Sequence, residues 1–257
     1  MFKNKKLLSN EPSKKGTIKF ILTETSENNC PIDIVSGVEK IPDWYKELEN
    51  KVKVGDSFNG FTIKRCIPVL DVLVSGYYAV TAMDYEFTFN EETETHTITG
   101  AFTEEYKPVT HHPIEQLGGM PFSEEYSAFA YKWSNPWTIK TPEGYSTLFT
   151  HPTNAPYLPF YTLSGVVDTD AYFRPINFPF LMKKAFNGIL PAGTPIAQII
   201  PFKRDDWSSE IVKTPSDEFI VSHKILAEEY EKDRFGEGGK EIGGVYKRLY
   251  RKKKKYL

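Results

Sequence analysis

Apolar and polar positions in this chain follow a period near two more often than one near 3.6. In 17–23, Ile18, Phe20 and Leu22 partly alternate with Thr17, Lys19 and Thr23, a β-branched and aromatic mixture that predicts a strand. The 42–48 segment reads differently: Pro42 opens a first turn, Asp43 follows, and Trp44, Tyr45 and Leu48 give an apolar side, so a short helix is expected. From Phe61 to Phe89 the pattern reads as strands punctuated by Pro68 and the Ser75-Gly76 pair. The polar stretch Asn90-Glu91-Glu92-Thr93 and the Thr-rich alternation after it mark a hairpin tip and its return strand. Prolines at 108, 113, 121, 136, 142, 152, 156 and 159 then confine the chain to short strands between bends. A helical stripe is clear in 217–233, where Phe219, Ile220, His223, Leu226 and Tyr230 recur at three- and four-residue steps.

The 257 residues, 40% hydrophobic and 26% charged, are long enough to bury a core without staples. No repeat of 20–50 residues is visible, which argues against a solenoid or propeller. Net charge of −2 excludes a chain that coats nucleic acid over its whole surface, although both ends are basic, with Lys3, Lys5 and Lys6 near the start and Lys252, Lys253, Lys254 and Lys255 near the end. Cys30 and Cys66 are too few for a disulfide framework or a four-thiolate zinc site. No stretch approaches the ~20 apolar residues of a membrane span, and the residues after Met1-Phe2-Lys3 lack the apolar region of a signal peptide. The expected setting is intracellular, with no membrane partner.

The densest chemical signal runs from Leu163-Ser164-Gly165-Val166-Val167-Asp168-Thr169-Asp170-Ala171-Tyr172 to Gly193-Thr194-Pro195-Ile196-Ala197-Gln198-Ile199-Ile200. It resembles the third and fourth motifs of the dUTP pyrophosphatase and dCTP deaminase superfamily, a Gly-Val-Val-Asp-x-x-Tyr turn followed by a Gly-x-x-Ile-Ala-Gln-Leu-Ile strand, in matching order and spacing. Ser75-Gly76-Tyr77-Tyr78 stands where that superfamily has its first motif, and Pro142-Glu143-Gly144-Tyr145 with Thr150-His151-Pro152-Thr153 where it has the second. The resemblance implies a β-clip core and a homotrimer. The departures are chemical: Tyr78 replaces the first-motif Asp, and His151, Pro152 and Thr153 replace the second-motif Arg and Ser. The whole chain, through Ile41-Pro42-Asp43-Trp44-Tyr45, Pro136-Trp137-Thr138-Ile139-Lys140 and 150–202, also resembles a family of uncharacterised proteins from tailed phages and some bacteria, which implies a phage origin and the host cytoplasm but no activity.

Each candidate residue has two readings. Asp168 and Asp170 are either paired oxygen ligands for a divalent cation or turn residues that cap backbone amides. His111, His112 and His151 are either metal ligands or ordinary histidines; the tandem pair points its side chains apart on an extended chain. Gly193 and Gln198 contact phosphate if the resemblance holds, and otherwise form a plain turn and strand. Trp133, Trp137, Tyr145 and Phe149 either stack on a base or fill the core. The Lys tail meets nucleic acid or an acidic partner, or serves solubility. The Gly-rich 234–244 stretch either closes over a phosphate or is a link.

These readings combine into an all-β fold. A β-clip-like core spans 64–207 with a hairpin insertion at 85–130, preceded by a strand and short helix in 1–63 and followed by a helix, Gly-rich link and basic tail in 208–257. Two functions fit. One is a non-catalytic homo-oligomer that binds a ligand or partner through its loops. The other is a divergent Mg-dependent nucleotide phosphohydrolase in which Asp168 orients a metal-bound water, Tyr172 contacts the sugar, and Gln198 with His151 contacts phosphate; it requires those residues to converge. Any cofactor other than that Mg²⁺ is left open by the sequence.

Overall fold

The computed structural model describes residues 16–22, 31–55, 58–101, 107–121, 123–235 and 244–251. The Lys252–Lys255 run, Cys30, the N-terminal lysines and most of the Gly-rich link lie outside the described residues. In chain order the first strands are β1 (Lys19–Leu22), β2 (Ile32–Ser36), β3 (Lys51–Val54), β4 (Phe58–Phe61), β5 (Tyr77–Thr81), β6 (Tyr85–Asn90), β7 (Thr95–Gly100) and β8 (Val109–Pro113). They are followed by β9 (Tyr126–Trp133), β10 (Trp137–Lys140), β11 (Tyr145–Thr150), β12 (Phe160–Thr162), β13 (Gly165–Val167), β14 (Phe178–Lys183), β15 (Gly188–Leu190) and β16 (Pro195–Lys203). Helices are α1 (Asp43–Glu47), α2 (Ile67–Leu73) and α3 (Asp217–Phe235). The protein is all-β in class, with antiparallel sheets and few helices.

The chain folds as two compact units, one formed by Met1–Ile34 with Ala79–Arg204, the other by Val35–Tyr78 with Asp205–Leu257.

A five-stranded sheet has the order β13-β11-β16-β5-β2, and a four-stranded sheet the order β12-β14-β9-β8. Ile196, Ala197, Gln198 and Ile199 of β16 are all buried, as a central strand covered on both faces requires. The predicted hairpin is present: β6 pairs with β7 from Tyr85↔Gly100 to Asn90↔Thr95, and the Asn90 side chain accepts from the amides of Glu92 and Thr93 to close the tip. The aromatic core centres on Phe180, fully buried, which stacks on Trp133 at 5.0 Å and Tyr131 at 5.5 Å and meets Phe160 edge-on at 5.7 Å. Trp133 and Phe149 are therefore core residues.

In the second unit, α1 is held through its carbonyl end. Lys64 donates to the carbonyls of Tyr45 at 2.9 Å and Lys46 at 2.6 Å, and the Tyr45 hydroxyl donates back to the Lys64 carbonyl at 3.2 Å. Residues 67–73, expected as strand, form α2. Pro68 is at the helix start, where its fixed φ suits the first turn and its missing N–H has no intrahelical partner to lose. Gly37 lies so close to the carbonyl of Val74 that a Cβ there would sit 2.6 Å from the oxygen, and its amide donates to Gly76 O at 2.9 Å. Arg251 donates to the buried Asp71 carboxylate at 2.7 Å and fastens the turn at 246–250 to α2. The α3 helix covers the predicted stripe, yet Phe219, Ile220 and Tyr230 of that stripe are 38–60% exposed.

Phe180→Ala removes the ring on which Trp133, Tyr131 and Phe160 pack. It is expected to destabilise the first unit by about 3–5 kcal/mol, measured as a lower urea midpoint with a native far-UV spectrum in the absence of denaturant.

Candidate functional site

The antiparallel pairing of β11 with β13 and β16 decides where the candidate residues fall. Thr147 is opposite Val167 on one side and Pro201 on the other, while Thr150 is opposite Gln198. Asp168 and Asp170, just after β13, therefore lie near the start of β11, and Gln198 with His151 lies at its end. Four residues of strand separate the two groups, about 14 Å at ~3.4 Å per residue.

At the start of β11 the structure brings Asp168 and Asp170 together, and it does so around Arg204. The Arg204 amide donates to Gly144 O at 2.8 Å, which holds the residue beside the β11 turn. Its guanidinium donates to Asp168 Oδ1 at 3.1 Å, to Asp170 Oδ1 at 3.0 Å and, through Nη2, to Asp170 Oδ2. It also reaches the Tyr145 carbonyl and the Ser146 hydroxyl oxygen. Ser146 donates to Asp168 Oδ1 at 2.6 Å, and the Gly144 amide donates to Asp170 Oδ2 at 2.8 Å. The Asp170 carboxylate is 7% exposed and the Asp168 carboxylate 64%. The Arg204 hydrogen bonds hold the Asp170 carboxyl below the usual carboxylate range, with the Gly144 amide adding to the effect and burial opposing it. Under the turn, the buried Thr169 hydroxyl shares hydrogen bonds of 2.7 Å with both Thr141 and Thr147.

At the end of β11 the side chains are committed to the backbone. His151 Nδ1 accepts from the Thr162 amide at 3.2 Å, which leaves the ring proton on Nε2, where it is donated to Ala155 O at 3.2 Å. The ring stacks on Tyr161 at 5.1 Å, and burial lowers its pKa below the ordinary imidazole value. Gln198, fully buried, accepts at Oε1 from the Thr153 amide at 3.2 Å and the Thr153 hydroxyl at 2.9 Å. Gly193 is in a turn with φ of 78°, a conformation that glycine takes without strain, and its amide donates to Thr81 O. Tyr172 is 45% exposed, and its amide donates to Asp168 O at 2.9 Å, closing the turn in which Asp170 sits.

His111 stacks on Phe129 at 4.6 Å, and its neighbour His112 is opposite Ala130 rather than Tyr131, so the pair diverges as extended geometry requires. Among the described residues no group of three or more His, Cys, Asp and Glu side chains converges as a metal would need. Arg204, Ser146 and Thr169 were not singled out from the sequence. The available signal for Arg204 was its position in the Lys203-Arg204 pair that closes the apolar β16 run before Asp205-Asp206. Comparison of the sequence with family models and with curated proteins gives no match.

The depressed Asp170 pKa sets a sign. A carboxyl whose folded value lies below its unfolded value of about 3.9 adds stability above that pH and loses it as pH falls through the folded value. Arg204→Gln is therefore expected to unfold at lower urea than the wild type near neutral pH, and the gap is expected to close as pH drops below the carboxylate range. A gap of constant size from neutral to acid pH would show that the Arg204–Asp170 pair is not its source.

Proposed function

We propose that the protein acts by self-association and by binding a ligand or partner through its loops, without catalysis. The observation that supports this reading is the distribution of the candidate groups. Within one chain Asp168 is separated along β11 from Gln198 and His151, and each candidate side chain among Asp168, Asp170, Gln198 and His151 already has an internal partner. A nucleophilic or acid–base site needs its groups within hydrogen-bond reach of one reacting centre. A homotrimer on a β-clip core is the form of assembly that the sequence resemblance leads us to expect, with a phage-type origin.

One observation favours the second reading, a divergent Mg-dependent nucleotide phosphohydrolase: the Asp168 carboxylate is 64% exposed and has Ser146 and Arg204 beside it. In that reading a neighbouring chain supplies the phosphate contacts that Gln198 and His151 do not supply in cis.

A thermal-shift screen against deoxynucleotides with and without Mg²⁺ separates the two. A ligand at 100 times its dissociation constant adds about 2.7 kcal/mol of stability, well within reach of the assay. The expected result is no Mg²⁺-dependent shift with any deoxynucleotide, in wild type or Asp168→Ala. A Mg²⁺-dependent shift with one nucleotide, lost in Asp168→Ala, would replace the non-catalytic reading by the phosphohydrolase.

A further inference from the structure

The second unit carries a basic hairpin with an aromatic ring on its face. From 51 to 65 the chain has four cations, Lys51, Lys53, Lys64 and Arg65, against the single acid Asp56. Strand pairing decides which of them act together. β3 pairs with β4 so that Lys51 is opposite Phe61, and Lys53, two positions along β3, is on the same face about 7 Å away at ~3.4 Å per residue. Both lysines are exposed, and among the described residues neither is in an ion pair. Lys64 is set apart, because its ammonium is committed to the carbonyls of Tyr45 and Lys46.

The ring between these cations is not core. Phe61 is 47% exposed, the Arg65 guanidinium lies over it with Cζ 3.8 Å from the ring centroid, and Lys51 Nζ is 6.0 Å from the same point. Guanidinium and phenyl ring are both flat groups on which a nucleobase stacks. More aromatic surface is fastened nearby. Arg65 leads through Cys66 into α2, and Asp71 of α2 holds Arg251 at 2.7 Å, which keeps the 246–250 turn beside that short helix with Tyr246 37% and Tyr250 50% exposed. Arg248 in this turn is 3.6 Å from Glu229, so what the turn adds is chiefly ring faces.

One class of partner uses all of these groups at once. Cations spaced along a strand neutralise successive phosphates of a polymer, and exposed flat groups stack on its bases where they are unpaired. A duplex offers only the edges of its bases in the grooves, so exposed ring faces favour single strands. An acidic peptide would use the cations and leave the rings without a role, whereas an anionic lipid surface would use the cations and any apolar side chain equally well.

We propose that the face formed by Lys51, Lys53, Phe61 and Arg65 binds single-stranded nucleic acid, holding it by phosphate neutralisation and base stacking without reading its sequence. The inference stands on the second unit alone and does not depend on self-association.

The test is fluorescence anisotropy of short labelled oligo-dT and oligo-U with the full chain, beside a duplex of the same length and flotation with phosphatidylserine vesicles. The wild type is expected to bind one or both single strands with Kd on the order of 1–100 μM at physiological salt, and the duplex at least about fivefold more weakly. Lys51→Gln/Lys53→Gln is expected to weaken binding about tenfold and to flatten the dependence of log K on log salt by about 1.4, at about 0.7 for each phosphate of a single strand. Phe61→Leu, which keeps an apolar side chain, is expected to weaken binding about tenfold with the salt slope unchanged. Hydrogen exchange of the wild type needs no variant to fold: amides of β3 and β4 are expected to slow when oligo-dT is added. Equal or tighter binding of the duplex, full binding by both variants with exchange in β3 and β4 unchanged, or binding lost only when Lys252 to Lys255 are changed to Gln each overturns the proposal. Vesicle binding that the double lysine variant abolishes, with no oligonucleotide bound by the wild type, overturns it in favour of a membrane surface.

Discussion

The antiparallel register of β11 between β13 and β16 is the constraint on which the functional geometry depends. Because Thr147 faces Val167 and Pro201, and Thr150 faces Gln198, the turn after β13 and the middle of β16 are held at different ends of one strand. Ile196, Ala197, Gln198 and Ile199 of β16 are all buried, so packing on both faces holds this strand in place along with its hydrogen bonds. The polar side chains near this sheet inherit their places from that register.

Arg204 settles the charge at one end of β11. Two carboxylates brought close in a tight turn repel each other unless a cation stands between them, and here the guanidinium takes that position with its fork donating to both. The buried carboxylate, Asp170, also draws an amide from Gly144, so its charge is met from two directions, whereas Asp168 keeps most of its surface in water. At the other end, His151 and Gln198 resolve a different problem: buried polar atoms must find partners, and both find them in the backbone and hydroxyl groups of the loop they support. One cluster secures the end of β16 and the other secures a loop.

Local pattern carried much of the fold. The strand at β1, the short α1, the β6–β7 hairpin and α3 were legible because each depends on its own residues: alternation, a proline in the first turn, an asparagine at a tip, a three-four stripe. α2 was not, because Pro68 reads equally as a break between strands and as the opening of a helix, and only the packing around Leu73 decides. The site was legible in part. Asp168, Asp170, Gln198 and His151 were candidates through the motif resemblance and, for the acids and the histidine, their residue type, but Arg204 lies 34 positions beyond Asp170 and meets it through strand pairing, a relation that no local pattern records. The stripe on α3 was visible, while the absence of cover over Phe219 and Tyr230 belongs to tertiary structure and could not be read from periodicity.

The claim that Arg204, and not a divalent cation, holds Asp168 and Asp170 together is open to direct measurement by paramagnetic broadening. Mn²⁺ titrated into ¹⁵N-labelled full-length protein broadens the amide signals nearest any site it occupies. The account predicts no saturable broadening at Gly144, Asp168 and Asp170. Saturable broadening centred on those three amides, and relieved by Mg²⁺, would contradict it.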